Sequence, residues 1–141
     1  MYEYGCQIVR VYDGDTVTVD IDLGFGVWLR NRSVRVGGID TPELRTRNAR
    51  EKVFGYKARD RMRELLPVGS RQVMRTYTPK PDKYGRVLGN FVIEFDDGSG
   101  TTELASEVLI EERLAVAYHG QAKADIEAQH TANWDWWEAQ A

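Results

Sequence analysis

Five short β-type runs, interrupted once by a helical stripe after the third, constrain this chain more than any other feature. Thr16–Asp22 shows the strand pattern most plainly. Val17, Val19 and Ile21 share one face and polar residues fill the other, the period of a half-buried strand. Gln7–Val11 is a shorter β-rich run, and Asp13-Gly14 after it is a turn signal. Leu23–Asn31, with Gly24 and Gly26, reads as a loop or ragged hairpin. In Ser33–Val36, Val34 and Val36 flank Arg35, so Arg35 leaves the sheet on the opposite face. Thr41-Pro42 breaks that strand.

Glu51–Leu66 carries Phe54, Ala58, Met62, Leu65 and Leu66 on one stripe and stops at Pro67 and Gly69, which predicts a helix. Arg71–Thr78 and Val87–Phe95 are the remaining strands, joined by the polar Pro79–Arg86, and Asp96–Gly100 is a turn. Two further helices are predicted, Glu103–Glu112 and Lys123–Trp137, the latter with Ile126, His130, Trp134 and Trp137 on one face. His119 and His130 read as structural, and Trp134 and Trp137 as packing residues, with Trp136 more exposed. Three strands, a helix, two strands and two helices predict an α+β fold: a five-stranded OB-fold β-barrel with three α-helices. Without repeats or a linker, residues 1–141 read as one domain.

Hydrophobic residues at 42% and charged residues at 29% fit a globular chain rather than a disordered one. No apolar run is long enough to cross a bilayer as a helix. The first residues lack a charged segment followed by an apolar one, so the expectation is a cytoplasmic protein, away from membranes and monomeric. The single Cys6 excludes an internal disulfide and is expected to pack as a small apolar group.

The net charge of −3 conceals a segregation. Arg30 to Arg86 is net +10, residues 1–29 net −4 and residues 87–141 net −9. The middle third can attract a polyanion while the whole chain stays acidic.

Three clusters can carry chemistry. Asp13-Gly14-Asp15-Thr16 alone is a hairpin turn. Asp40-Thr41-Pro42-Glu43 after Arg35 alone is a helix N-terminus, with Thr41 as cap and Pro42 in the first position. Asp82-Lys83-Tyr84-Gly85-Arg86 alone is a turn between strands. Together they supply what turns do not require. Asp15, Asp40 and Glu43 are three carboxylates, Arg35 and Arg86 two guanidiniums, and Thr41 adds a hydroxyl or carbonyl oxygen. The absence of a His or Cys cluster argues against zinc, and oxygen donors suit a hard cation, Ca²⁺ or Mg²⁺. An arginine fork matches two phosphate oxygens. A cation with two arginines is the inventory for phosphodiester hydrolysis, and a further carboxylate can orient or deprotonate water.

These motifs, with Leu114-Ala115-Val116-Ala117-Tyr118 after them, resemble the successive motifs of the staphylococcal nuclease (thermonuclease) family in order and spacing, from about Gln7 to Tyr118. The resemblance implies one Ca²⁺ held by Asp15, Asp40 and the backbone carbonyl of Thr41, with Asp13 behind them. It implies Glu43 acting on the attacking water, Arg35 and Arg86 on the scissile phosphate, and Lys83, Tyr84 and Tyr118 on a neighbouring phosphate or the nucleotide. The implied activity is a calcium-dependent endonuclease on DNA and RNA that leaves 3′-phosphate ends, and the segregated charge adds a preference for single-stranded or open regions. Three departures stand out: a shorter, Arg-rich Leu44–Lys52 before the first helix, His119-Gly120 after Tyr118, and Arg113 where a helix-ending Gly is expected. The competing class is a catalytically inactive nucleic-acid-binding OB-fold module, which would be expected to have lost part of the carboxylate and arginine set. A plain single-strand binder would need exposed strand aromatics, for which only Tyr77 and Phe91 qualify.

Overall fold

The computed structural model describes residues 1–78 and 80–141. Its strands are β1 (Tyr2–Asp13), β2 (Thr16–Asp22), β3 (Trp28–Val36), β4 (Ile39–Asp40), β5 (Arg71–Thr76), β6 (Val87–Glu94), β7 (Thr102–Leu104) and β8 (Val116–Ala117). Its helices are α1 (Ala49–Leu65), α2 (Ala105–Glu111) and α3 (Lys123–Ala139). The sheet runs β3-β2-β1-β5-β6, and a parallel β3–β6 pairing joins its ends. The result is a closed five-stranded barrel of OB type, with β7 added outside β6 and a separate β4–β8 ribbon.

Closure needs curvature, and β1 supplies it. Its register against β2 shifts between Ile8 and Arg10 and again between Val11 and Asp13, irregularities that bend a strand. This twelve-residue strand pairs with β5 through Tyr2–Gln7 and with β2 through Gly5–Asp13, so it spans both halves of the barrel. Val17, Val19 and Ile21 of β2 and Val34 and Val36 of β3 fill the interior with Ile8, Val11, Met74 and Phe91. Phe91 is fully buried, so it is no candidate for base stacking, whereas Tyr77 is half exposed. Cys6 is buried within this core, as expected.

α1 starts two residues before the predicted Glu51. Asn48 caps it, its side chain accepting from the amides of Arg50 and Glu51. Thr41-Pro42-Glu43 is therefore not a helix N-terminus, and these residues are free for other contacts. The buried side of α1 is Phe54, Gly55, Ala58 and Met62, with Leu66 beyond its end, while Leu65 is only partly covered. The segment predicted from Glu103 as helix starts instead as β7, and α2 follows at Ala105. β5 ends at Thr76 rather than Thr78, and of the polar Pro79–Arg86 segment Pro79 lies outside the described residues.

Arg113, in place of the expected glycine, takes the left-handed conformation at φ 60°. Such a conformation costs a non-glycine residue roughly 1–2 kcal/mol. α3 supports it: the Arg113 guanidinium lies over the Trp136 ring at 4.7 Å, and Trp137 Nε1 donates to its carbonyl at 3.0 Å. The buried residues of α3 are His130 and Trp134, and Trp134 stacks on Phe54 of α1 at 5.6 Å. Trp136 is the more exposed of the three tryptophans near its end. Among the described residues, no helix is long and apolar enough to cross a membrane.

Charges that are segregated along the sequence are paired in space. Arg50 of α1 meets Asp135 at 2.6 Å and Glu138 at 2.5 Å on α3, and Arg61 of α1 meets Glu112 after α2 at 2.7 Å. The acidic helices thus neutralise part of the basic middle segment rather than forming separate flanks.

Candidate functional site

The site is built where the β1–β2 turn, the end of β3 and the segment after β4 meet. Asp13 closes the turn: one of its carboxylate oxygens accepts the Asp15 amide at 3.0 Å. Gly14 lets that turn approach closely. A Cβ there would lie 2.8 Å from Thr41 Cγ2 and 3.0 Å from Ala58 Cβ, so no larger residue fits without a shift. The turn is thus pressed onto Thr41, which is itself buried, and the Thr41 amide lies 3.4 Å from Asp15 Oδ2.

Arg35 leaves β3 away from Val34 and Val36, as alternation requires. Its guanidinium donates to the carbonyls of Val36 and, at 2.8 Å, of Ile39, and lies 3.5 Å from Asp15 Oδ2. Those backbone acceptors hold the arginine in one orientation beside the carboxylates. Asp40 is fixed twice: its backbone pairs with Val116 in the β4–β8 ribbon, and its side chain meets His130 Nε2 at 2.7 Å.

Glu43 sits on a loop that packs against α1. A Cβ on Gly55 would stand 2.8 Å from the Glu43 carbonyl oxygen and 3.0 Å from that of Pro42. The helix carries glycine at the point where the loop crosses it. Glu51 on the first turn of α1 also faces this loop, one of its oxygens 3.5 Å from the Glu43 amide.

The electrostatics record how closely these acids gather. Burial, then the charge of Asp15, pushes the Asp13 carboxyl up to about 7. Glu43 is raised as well, by burial first and then by Asp15, Asp40 and Glu51, with Arg35 opposing. Glu43 thus lies in the field of Asp15 and Asp40, Asp13 in that of Asp15 and Glu43, and the Arg35 guanidinium stands beside Asp15. Like charges held this close favour a hard cation among them, so the donor chemistry fits Ca²⁺ or Mg²⁺. Among the described residues no three His, Cys, Asp or Glu side chains are grouped so that they could hold a metal ion by themselves. The expected donor set has only two carboxylates and a carbonyl, which leaves the remaining positions to water or substrate.

The other sequence candidates lie at the rim. Arg86 immediately precedes β6, whose Val87 pairs with Val34 beside Arg35, so the β3–β6 pairing brings the backbone of Arg86 next to the strand that carries Arg35. Asp82 holds Arg86 by its backbone amide at 2.8 Å and by Nε at 2.9 Å. Tyr84 is 71% exposed, with Lys83 and Arg86 5.2 and 5.3 Å from its ring centre. Tyr118 is 47% exposed, its amide donating to the Gly38 carbonyl at 2.8 Å. Among the described residues, no contact links Lys83, Tyr84 or Tyr118 to the carboxylates. Sequence reasoning missed three contributors: His130 behind Asp40, Glu51 behind Glu43, and Gly55 beneath the Glu43 loop. The one available signal was a polar His130 on an otherwise apolar helix face.

A closed five-stranded barrel with a helix between its third and fourth strands, bearing acids and arginines at one edge, defines an OB-fold protein with a polar, charged edge. Comparison with known proteins narrows this. A family model described as Staphylococcal nuclease homologue matches residues 33–141, and the chain belongs to that family. It is 34% identical over 110 residues to an SPbeta prophage-derived endonuclease of Bacillus subtilis, covering 77% of this chain and 33% of that protein. It is 32% identical over 83 residues to a thermonuclease of Staphylococcus hyicus, covering 58% of this chain and 44% of the relative. An uncharacterized protein of Methanocaldococcus jannaschii is 34% identical over 107 residues, 64% of this chain and 48% of its own length. The matches thus span between a third and a half of these relatives.

Proposed function

We propose that this chain is a calcium-dependent endonuclease that hydrolyses phosphodiester bonds of DNA and RNA and leaves 3′-phosphate ends. Family membership supports a nuclease-type activity in general. The observation that carries the finer reading is the placement of Asp15 Oδ2 3.5 Å from the fixed guanidinium of Arg35 and 3.4 Å from the amide of Thr41, the residue next to Asp40. Asp15, Asp40 and the Thr41 carbonyl would hold the cation, which supplies charge to neutralise phosphate oxygens and polarise the phosphorus.

In this reading Arg35 and Arg86 bind the non-bridging oxygens of the scissile phosphate and stabilise the charge that grows there. Arg35 is already oriented by the Val36 and Ile39 carbonyls, so little ordering remains for the reaction. Glu43 accepts a proton from the attacking water or orients it. Its raised pKa, caused first by burial and then by the neighbouring acids, makes it a stronger base than an ordinary carboxylate. Lys83, Tyr84 and Tyr118 contact a neighbouring phosphate or the nucleotide, and their exposure suits a substrate that enters from solvent. A single strand, or an opened region of duplex, follows such an exposed rim more readily than a rigid helix.

The inactive binding module is disfavoured, because Asp15, Arg35, Asp40, Glu43 and Arg86 are all present. The test is incubation of the purified protein with denatured DNA, plasmid and RNA, with Ca²⁺ or with EGTA, followed by end-group analysis. Cleavage with Ca²⁺ that yields 3′-phosphates, and none in EGTA, is expected. Binding without cleavage in Ca²⁺ would establish the inactive module, and undiminished cutting in EGTA would overturn the metal mechanism.

A further inference from the structure

Helix α3 is anchored by two buried side chains among its seventeen residues, His130 and Trp134. Trp134 serves packing, stacked against Phe54 of α1. His130 does something else. Its ring lies 6.0 Å from that of Trp134 on one side, and its Nε2 reaches across to Asp40 Oδ2 at 2.7 Å. The histidine side chain is 7% exposed and the aspartate 32%, so the imidazole is buried behind a carboxylate that still reaches solvent. An ionised carboxylate only accepts, so the imidazole N–H is the donor. Ninety residues separate the partners, and nothing but the docking of α3 brings them together.

We propose that His130 is a positioning residue. Held on α3, its imidazole fixes the Asp40 carboxylate in the orientation that receives the cation, so that cation affinity and the docking of α3 are coupled. This rests on the reading of Asp40 as a cation ligand. The physical argument has three parts. A free aspartate side chain rotates, and each alternative rotamer dilutes the one that binds. Asp40 cannot be held by its backbone alone, because pairing with Val116 leaves both side-chain torsions open. Engaging Oδ2 through a rigid, stacked imidazole removes that freedom and leaves Oδ1 to a cation. Groups that hydrogen-bond a metal ligand from behind typically change metal affinity by about 10–100-fold when removed. Coupling of this kind is reciprocal: if docked α3 raises cation affinity, the cation must stabilise docked α3.

The test is calorimetric titration of metal-free protein with CaCl₂, for the wild type and three variants, each first shown to be folded by near-ultraviolet circular dichroism. His130→Leu keeps the apolar contact with Trp134 and removes the donor. His130→Gln restores an N–H donor near the same place. Trp134→Phe weakens the packing of α3 and leaves the imidazole. The expected result is a Kd raised about 10- to 100-fold in His130→Leu, substantially recovered in His130→Gln and changed less than threefold in Trp134→Phe, although that variant melts lower. Hydrogen exchange gives a second readout independent of turnover. Ca²⁺ should slow exchange of the α3 amides in the wild type and have little effect on them in His130→Leu. Folded His130→Leu with wild-type affinity would overturn the inference and leave the nuclease reading intact. An equal loss in Trp134→Phe would show that helix docking alone is responsible and overturn it as well. If His130→Leu does not fold, His130→Gln decides: affinity more than tenfold below wild type despite a restored donor counts against positioning through that hydrogen bond. Absence of Ca²⁺ binding by the wild type would overturn the metal reading and this inference together.

Discussion

The Asp15 amide donates to Asp13 Oδ1 at 3.0 Å, so the turn holding one acid is closed by the side chain of another. Asp13 is needed there as a hydrogen-bond acceptor, while its charge opposes Asp15. Its folded pKa of about 7 lies above the ordinary aspartate value of 3.8. Stability contributed by the protonated form is therefore complete below about pH 3.8 and lost as pH rises through about 7. Asp13→Asn keeps an acceptor oxygen and removes the charge. In EGTA at pH 8 it should raise stability by roughly 1–2 kcal/mol, a few degrees in Tm, and with Ca²⁺ the gain should shrink. Thermal unfolding of both proteins checks this, and a destabilised Asp13→Asn in EGTA would contradict it.

Gly55→Ala sets two effects against each other. Alanine favours a helix over glycine by about 1 kcal/mol. The added Cβ would press on the carbonyls of Pro42 and Glu43, and overpacking of this kind costs about 1–3 kcal/mol. The clash involves backbone, which yields least, so the variant should lose about 1 kcal/mol in net stability. Displacement of Glu43 should also lower kcat by more than tenfold. A higher Tm with unchanged kcat would show that the loop is free to move away.

Arg61 and Glu112 form a forked pair, Nε to Oε1 at 2.7 Å and Nη2 to Oε2 at 3.0 Å, which ties α1 to the end of α2. A double-mutant cycle with Arg61→Ala and Glu112→Gln should give a coupling of about 1 kcal/mol, reduced in molar salt. Neutralising Glu112 should therefore lower stability, whereas neutralising the neighbouring Glu111 should not. Duplex affinity is better probed through Glu111, Asp125 and Glu127, for which no ion pair is found among the described residues.

Arg35→Lys and Glu43→Gln should each reduce kcat on single-stranded DNA by on the order of 10²–10³ with circular dichroism unchanged. An ammonium cannot bridge the Val36 and Ile39 carbonyls and a phosphate as the planar guanidinium does. Near-full activity in either folded variant would remove that residue from the proposed mechanism.

Burial pushes the Cys6 thiol up to about 11, partly offset by Arg71. The native protein should therefore be unreactive toward a disulfide reagent at pH 8 and should react at its unfolding rate. Rapid stoichiometric labelling of the folded protein would contradict the buried placement.

What could be read from the residues was whatever repeats locally or clusters within a few positions. The alternation of Val17, Val19 and Ile21, the stripe on α1 and the order of the strands sufficed for an OB-type barrel with three helices. The acidic turn at Asp13–Asp15, the Asp40–Glu43 segment and the Lys83–Arg86 turn were visible as chemistry because each lies within a handful of positions. Element ends were less legible. Asn48 outcompeted Thr41 as a helix cap, and Thr102–Leu104 joined β6 as a strand because a free edge of β6 was there to receive it.

Which of these groups meet, and what stands behind them, follows from the packed chain alone. The inventory of acids, arginines and strands is legible along the chain, because residue type and short-range period are local properties. It did not determine that His130 reaches Asp40 across ninety positions, that Arg61 of the basic segment is paired with Glu112 of the acidic one, or that Gly55 exists to admit the loop of Glu43. Those contacts depend on barrel closure through β3 and β6 and on the angle at which α3 docks. Neither leaves a periodic trace in the chain, because each is set by the packing of many side chains at once.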